Sequence, residues 1–407
     1  MKFDTYFTMN ESEAATYASE KLAYLFADDF SLSCKEIGDG NLNYIFKVTD
    51  KRSNHSIIIK QSGPVARISD EFKLSPDRNR IEYEILKLQQ QFAPGLVPKV
   101  YAYDPIMHCT VMDDLSDHQI MRRALMEFQT FPKFAQDISD FMVNTLLLTS
   151  DVVLEHKQKK DLVRNFINPQ LCEITEDLVY TEPFNDNKNR NDVFELNRSW
   201  VSEHIYDSLP LRLETAKLKF EFMNHAQSLI HGDLHTGSIF VRQDSTKVID
   251  PEFAFFGPIG YDVGNVIANL IFSWAHSDAH QQSDHKRWVE ETLVATVDLF
   301  ITKFSSVWDQ KVTEVSALTP GFKEYYLSQV MSDSAGVTGL ELCRRIIGLA
   351  HVKDITSLTG NIRLRAERIC LTAAKEFILE RGKYCCGLDF LQTFKKAEAA
   401  FAREDYV

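Results

Sequence analysis

Leu229–Glu252 reads LIHGDLHTGSIFVRQDSTKVIDPE, and its acidic residues decide how the rest of the chain is read. Ile239–Arg242 and Lys247–Ile249 have the β-branched and aromatic makeup of short strands, and Gln243–Thr246 supplies a polar turn between them. A hairpin brings its ends together, so Asp233 before it and Asp250 after it are expected near one another, with Glu252 two residues further on. Crowded carboxylates repel, and one is pushed toward its neutral form unless a cation lies between them. A divalent ion carried on nucleotide phosphates, which takes oxygen ligands, is such a cation. Alone, His231-Gly232-Asp233 reads equally well as a turn with a capping Asp. The hairpin and the Asp-x-Glu beyond it favour a phosphoryl-transfer site.

His231-Gly232-Asp233 followed by Asp250 resembles the catalytic loop and metal-binding aspartate of protein kinases. It is more closely similar to the HGDxHxxN pattern of the aminoglycoside phosphotransferase and choline kinase group. The resemblance implies an α+β, bilobal protein-kinase-like fold, with an N-terminal lobe of antiparallel sheet and helices and a larger, mainly helical C-terminal lobe. In that template the first Asp accepts the substrate hydroxyl proton and the second holds Mg²⁺ on the β- and γ-phosphates of ATP. Ser238 departs from the pattern, since it stands where the group has an Asn metal ligand. Asp250-Pro251-Glu252 is expected to complete the metal shell, because residues i and i+2 of an extended segment project to one side. Asp262, in a Gly-x-x-x-x-Asp element from Gly257, is expected to brace the loop backbone.

The whole chain fits this frame. Its 407 residues exceed a single core, and 44% hydrophobic with 25% charged residues is ordinary for a globular protein. A net charge of −13 argues against a nucleic-acid partner and makes isolated Lys and Arg near phosphates more significant. The seven cysteines are scattered without a CxxC pair, which suits a reducing compartment. The amino terminus lacks a signal-peptide pattern, and the apolar run Val263–Ala275 is too short to span a bilayer. These features predict a cytoplasmic protein without a membrane partner.

Upstream, Met9-Asn10-Glu11-Ser12 predicts a helix start, with Ala15, Ala18, Leu22, Leu25 and Phe26 at helical spacing. Gly38 and Gly40 sit at a strand-to-strand bend where backbone N–H groups could approach a phosphate, although hairpin turns use the same residues. Ser56–Lys60, SIIIK, resembles the kinase strand that ends in a phosphate-binding lysine; the alternative is an exposed strand-end lysine. Ser75-Pro76-Asp77 opens a helix striped by Ile81, Ile85, Leu88 and Phe92, from which Glu82, or else Glu84, would orient Lys60. Strands at Lys99–Tyr103 and Cys109–Met112 then run into Asp113-Asp114-Leu115, adenine-site candidates at a hinge spanning 113–116. The lobes are accordingly placed at 1–112 and 117–407.

Beyond the hinge, Phe134–Leu148, Phe194–Ser208 and Leu213–Ser228 carry helical periodicity, and Thr181–Asp192 reads as a polar loop. Gly336–Ile355 reads as an apolar helix containing adjacent Arg344 and Arg345. Neighbours diverge by about 100° on a helix, so at least one guanidinium is expected in a cleft, bound to phosphate or sugar or else in a structural salt bridge.

HGDLHTGSIF, Asp-x-Glu, GDGNLNYIF, FINPQLCEITEDL and ELCRRIIGLAHVKD together resemble the 5-methylthioribose kinase family, from about Lys35 to about Asp354. That resemblance implies ATP-dependent phosphorylation of the 1-hydroxyl of S-methyl-5-thioribose by a homodimer. It assigns Asn43 and Lys60 to ATP, Asp113–Leu115 to adenine, Asp250 and Glu252 to the Mg-nucleotide, and Asp233, Arg344 and Arg345 to the sugar. Two rivals remain. One is a kinase for another small hydroxylated metabolite, such as an aminoglycoside, choline or homoserine; a choline site would want an aromatic cage, whereas a sugar site wants acid and Arg groups. An inactive kinase-fold scaffold is suggested by Ser238 and opposed by Lys60, Asp233 and Asp250.

Overall fold

The computed structural model describes residues 2–37, 43–63, 75 and 77–402. Gly38 and Gly40 lie outside them. The chain forms two compact units, one of Met1–Asp117 with Ile249–Ala254 and one of His118–Val248 with Phe255–Val407.

The first unit is built on a five-stranded antiparallel sheet in the order β1-β2-β3-β5-β4. The strands are β1 (Leu32–Glu36), β2 (Asn43–Asp50), β3 (Ser56–Ser62), β4 (Val100–Asp104) and β5 (Cys109–Asp113). Alternation along β3 divides its side chains. Ile57 and Ile59 enter a core with Phe46, Val48 and Val111, each burial contributing about 2 kcal/mol. Ile58 and Lys60 take the other face. Helix α1 (Glu11–Lys21) covers the core face through Ala14, Tyr17 and Ala18, and its start is fixed by a reciprocal Asn10–Glu13 capping box. Of the expected stripe, Ala18 and Leu22 are buried, Ala14 takes the place of Ala15, and Leu25 and Phe26 pack against the core from beyond the helix, which stops at Lys21. Helix α2 (Arg78–Phe92) buries Arg78, Asn79, Glu82 and Gln89 as well as Ile81 and Ile85. That polar, buried face is a site signature, since such groups need partners.

The second unit is mainly helical. The expected hairpin is present as β8 (Ile239–Arg242) and β9 (Ser245–Val248), with β6 (Gln119–Ile120) pairing β8. Arg242 pairs Ser245, so the turn is Gln243-Asp244 alone, two residues tighter than the polarity of Gln243–Thr246 suggests. A second small sheet pairs β7 (Ser228–Ile230) with β10 (Phe255–Gly257) and launches the HGD loop. Three expected helices differ. Phe194–Ser208 is broken into Glu195–Asn197, Arg198–Val201 and a wide π turn at Ser202–Tyr206. Leu213–Ser228 starts earlier, as Leu209–Asn224 with Pro210 in its first turn. The arginine-bearing helix spans Phe322–Ile347 and gives way at Gly348.

Two glycines set a close helix contact. On the helix Ile259–Ala279, a Cβ at Gly260 would lie 2.6 Å from Ser334 N, and one at Gly264 would lie 2.6 Å from Ser334 O. Backbones therefore approach directly where this helix meets Phe322–Ile347, the two elements that carry Asp262 and the arginine pair. Among the described residues no helix is long and apolar enough to cross a membrane.

Candidate active site

In the first unit the charged groups of β2, β3, α2 and the Ile249–Ala254 segment form one network. The Lys60 ammonium is 2.8 Å from Glu82 Oε1 and also pairs with Asp250. Burial opposes its charge, but Asp250, Glu82 and Glu252 outweigh that and raise the lysine's pKa. Glu84 instead pairs with Arg80 on the same helix, so Glu82 is the lysine's partner. The backbone of Lys60 is fixed too, since Asn79 Nδ2 donates to its carbonyl at 3.1 Å.

Asp250 adopts φ +67°, a left-handed conformation that Asp tolerates better than most residues and that costs of order 1 kcal/mol. Its side chain is 40% exposed, against 7% for Lys60 and 2% for Glu82. Glu252 is deep: its Oε2 accepts from Asn43 Nδ2 at 3.2 Å and lies 3.3 Å from Arg78 Nε. Burial, with Asp250 adding to it, raises the Glu252 carboxyl against the opposing pull of Lys60 and Arg78. Asn43 is itself held, its Oδ1 accepting from Ser62 Oγ at 2.9 Å and Arg78 Nη2 at 3.1 Å. Asp113 accepts from Tyr101 and from Lys99 N while its own N–H donates to Lys99 O at 2.9 Å, and Asp114 accepts from Ser56 and pairs with Lys47. Leu115 is half-buried beside them, and Pro251 is buried.

Burial pushes Glu82 up to about 7, Lys60 pulling it down while Asp250 and Glu252 push it up. A carboxyl raised in the folded state favours folding below its ordinary pKa and loses that contribution as pH rises through the folded value. The thermal midpoint of the Glu82→Gln variant, scanned from about pH 5 to 8, is expected to fall less with pH than that of the wild type. A steeper fall would contradict the assignment.

In the second unit the HGD loop is clamped from below. Asp262 accepts from His231 N at 2.6 Å and Gly232 N at 3.0 Å, and Gly232 takes φ +83° to present both amides to one carboxylate. Asp262→Ala would leave two buried N–H groups without an acceptor, and a loss of about 3 kcal/mol in denaturant unfolding is expected. Asn269, within the largely apolar run Val263–Ala275, ties the far side of the loop by accepting from Thr236 Oγ1 at 3.1 Å and Arg122 Nη2 at 3.2 Å.

Asp233, a quarter exposed, has three donors around it. Arg344 Nη2 is 3.3 Å and Arg345 Nη2 3.7 Å from its Oδ1, and His235 Nε2 is 3.3 Å from Oδ2. Burial works to raise the Asp233 carboxyl, but His235, Arg344 and Arg345 hold it well below the usual range, so it is ionised. Both guanidinium groups reach it despite their divergence along the helix, because buried Glu341 gathers them: it pairs with Arg344 and lies 2.9 Å from Arg345 Nε. His235 is held neutral chiefly by burial, with Arg122 and Arg345 opposing a charge that Asp233 favours. Ser238 is buried, its hydroxyl 3.3 Å from His235 Nδ1.

Of the residues expected from the sequence, Asn43, Lys60, Asp250 and Glu252 meet in the first unit with Glu82, and Asp233, Arg344 and Arg345 meet in the second. Arg78, His235, Glu341 and Arg122 complete these sets and were not foreseen. Glu341 was legible, since Glu at i with Arg at i+3 and i+4 is a helical ion-pair spacing.

A lysine–glutamate pair with an exposed aspartate, and an ionised aspartate among arginines, define a phosphoryl-transfer class of protein. The model of the phosphotransferase enzyme family matches residues 33–290. The chain is 42% identical over 379 residues to the methylthioribose kinase of Geobacillus kaustophilus, covering 92% of this chain and 93% of that protein. It is 42% identical over 376 residues to that of Geobacillus thermodenitrificans, covering 92% and 93%. Among solved structures, the ethanolamine kinase of Plasmodium vivax aligns with a TM-score of 0.46 at 15% identity, covering 100% of this chain and 92% of that one. The chain belongs to the methylthioribose kinases of the phosphotransferase enzyme family.

Proposed function

We propose that this chain transfers the γ-phosphoryl group of ATP to the 1-hydroxyl of S-methyl-5-thio-D-ribose, yielding the 1-phosphate. The observation that carries the reading is Asp233, ionised, partly exposed and flanked by His235, Arg344 and Arg345, in a chain whose relatives are methylthioribose kinases. Asp233 orients the hydroxyl and accepts its proton. The anomeric hydroxyl is more acidic than an ordinary alcohol, so a carboxylate of low pKa suffices when the proton moves late in a loose transition state. The arginines are donors for sugar oxygens and for charge on the transferring group.

In the first unit Lys60, oriented by Glu82, contacts the α- and β-phosphates, and the hinge backbone at Asp113–Leu115 faces adenine. Mg²⁺ fits the donor set, because Asp250 and Glu252 offer carboxylate oxygens two residues apart beside the Lys60 and Arg78 cations. Asp250 and Glu252 would hold it, and it would supply neutralisation of phosphate charge. Glu252 joins by sharing a carboxylate already bound to Arg78 and Asn43. ADP release measured with methylthioribose, choline, homoserine and an aminoglycoside tests the reading. Turnover confined to the thiosugar is expected, and turnover of another alcohol with none of the thiosugar contradicts it.

A further inference from the structure

His235 is engaged at both ends of its ring. Its Nδ1 accepts from Gly237 N at 3.0 Å and Ser238 N at 3.1 Å, while Nε2 faces Asp233 Oδ2 at 3.3 Å. Two backbone N–H groups on Nδ1 leave that nitrogen no proton, so a neutral ring carries its hydrogen on Nε2 and donates it to Asp233. The ring is packed in place as well. A Cβ on Gly237 would lie 2.7 Å from His235 Cε1 and 3.1 Å from Arg122 Nη1, so only glycine leaves room for both side chains. Guanidinium groups of Arg122 and Arg345 also face the ring.

We propose that His235 is a positioning residue for Asp233: the loop fixes its tautomer, and its Nε2–H fixes the rotation of the carboxylate that receives the sugar hydroxyl. The inference rests on the reading of Asp233 given above. One carboxylate oxygen is held by the arginines and the other by the histidine, so the plane of the group is set before the sugar arrives. In the step itself the hydroxyl O–H breaks as its oxygen bonds to the γ-phosphorus, the bond to ADP breaks, and the proton goes to Asp233 and later to water. His235 relays no proton in this step, because its Nδ1 lone pair is already engaged by Gly237 N and Ser238 N. A capping role alone would be met by any short acceptor at this position; only a side chain with an acceptor at one end and a donor at the other does both.

Steady-state kinetics of the full chain separate the two roles. His235→Asn keeps an acceptor for the loop amides and is too short to reach Asp233. It is expected to lower kcat about 10- to 100-fold, with the KM for ATP and the thermal midpoint unchanged. His235→Gln, whose amide N–H extends toward Asp233, is expected to recover part of that loss, and Gly237→Ala, which displaces the ring, to reproduce it. Wild-type kcat in His235→Asn or Gly237→Ala, or equal losses in the Asn and Gln variants, would overturn the proposal. If Asp233→Asn is inactive while His235→Asn is fully active, the positioning role fails and the base stands; an active Asp233→Asn removes the base itself.

Discussion

Replacing Asp233 with asparagine is expected to lower kcat by about 10³-fold while leaving the affinity for ATP nearly unchanged. The carboxylate lies with its three donors in the second unit, and the lysine network assigned to nucleotide lies in the first. Asparagine keeps the volume and loses the negative charge, so the arginines retain Glu341 as a partner and the fold should survive. The loss therefore belongs to the chemical step. Calorimetric titration of ATP alongside ADP release separates the two quantities. A variant within a few-fold of wild-type kcat would mean that the hydroxyl needs no acceptor at this position.

The second large effect is expected at Asp250. It is the one carboxylate of the first-unit trio with substantial exposure, and its left-handed backbone aims it at Lys60. Asp250→Ala should abolish the dependence of ATP binding on Mg²⁺ and, with it, turnover. Lys60 would still be paired with Glu82, so residual metal-independent binding of nucleotide is expected. Calorimetry with Mg²⁺ and with a chelator reads the difference, and a variant whose ATP affinity still rises with Mg²⁺ would show that the metal is held elsewhere.

The sequence carried these residues unevenly, for physical reasons. Lys60 was legible because a β-branched run fixes a strand and a strand fixes alternation, and Glu82 because the helix that follows has a readable period. The second glutamate on that helix, Glu84, could not be dismissed until Arg80 was seen to hold it. Arg78 was invisible as a partner of Glu252, since the two are joined by folding and not by spacing. The arginine pair shows the reverse: local geometry argued that the two diverge, and long side chains gathered by Glu341 converge all the same. Helix ends were the least legible feature. Pro210 and Gly348 set two of them, and a π turn at Ser202–Tyr206 interrupted a third stretch whose periodicity was unbroken.

The most direct test of the account is the phosphorus NMR spectrum of the product formed from ATP and S-methyl-5-thioribose, recorded with proton coupling. One new phosphate signal split by the anomeric proton, in equal amount to ADP, is predicted. A phosphate coupled to any other carbon-bound proton, or ADP accompanied only by inorganic phosphate, would contradict it.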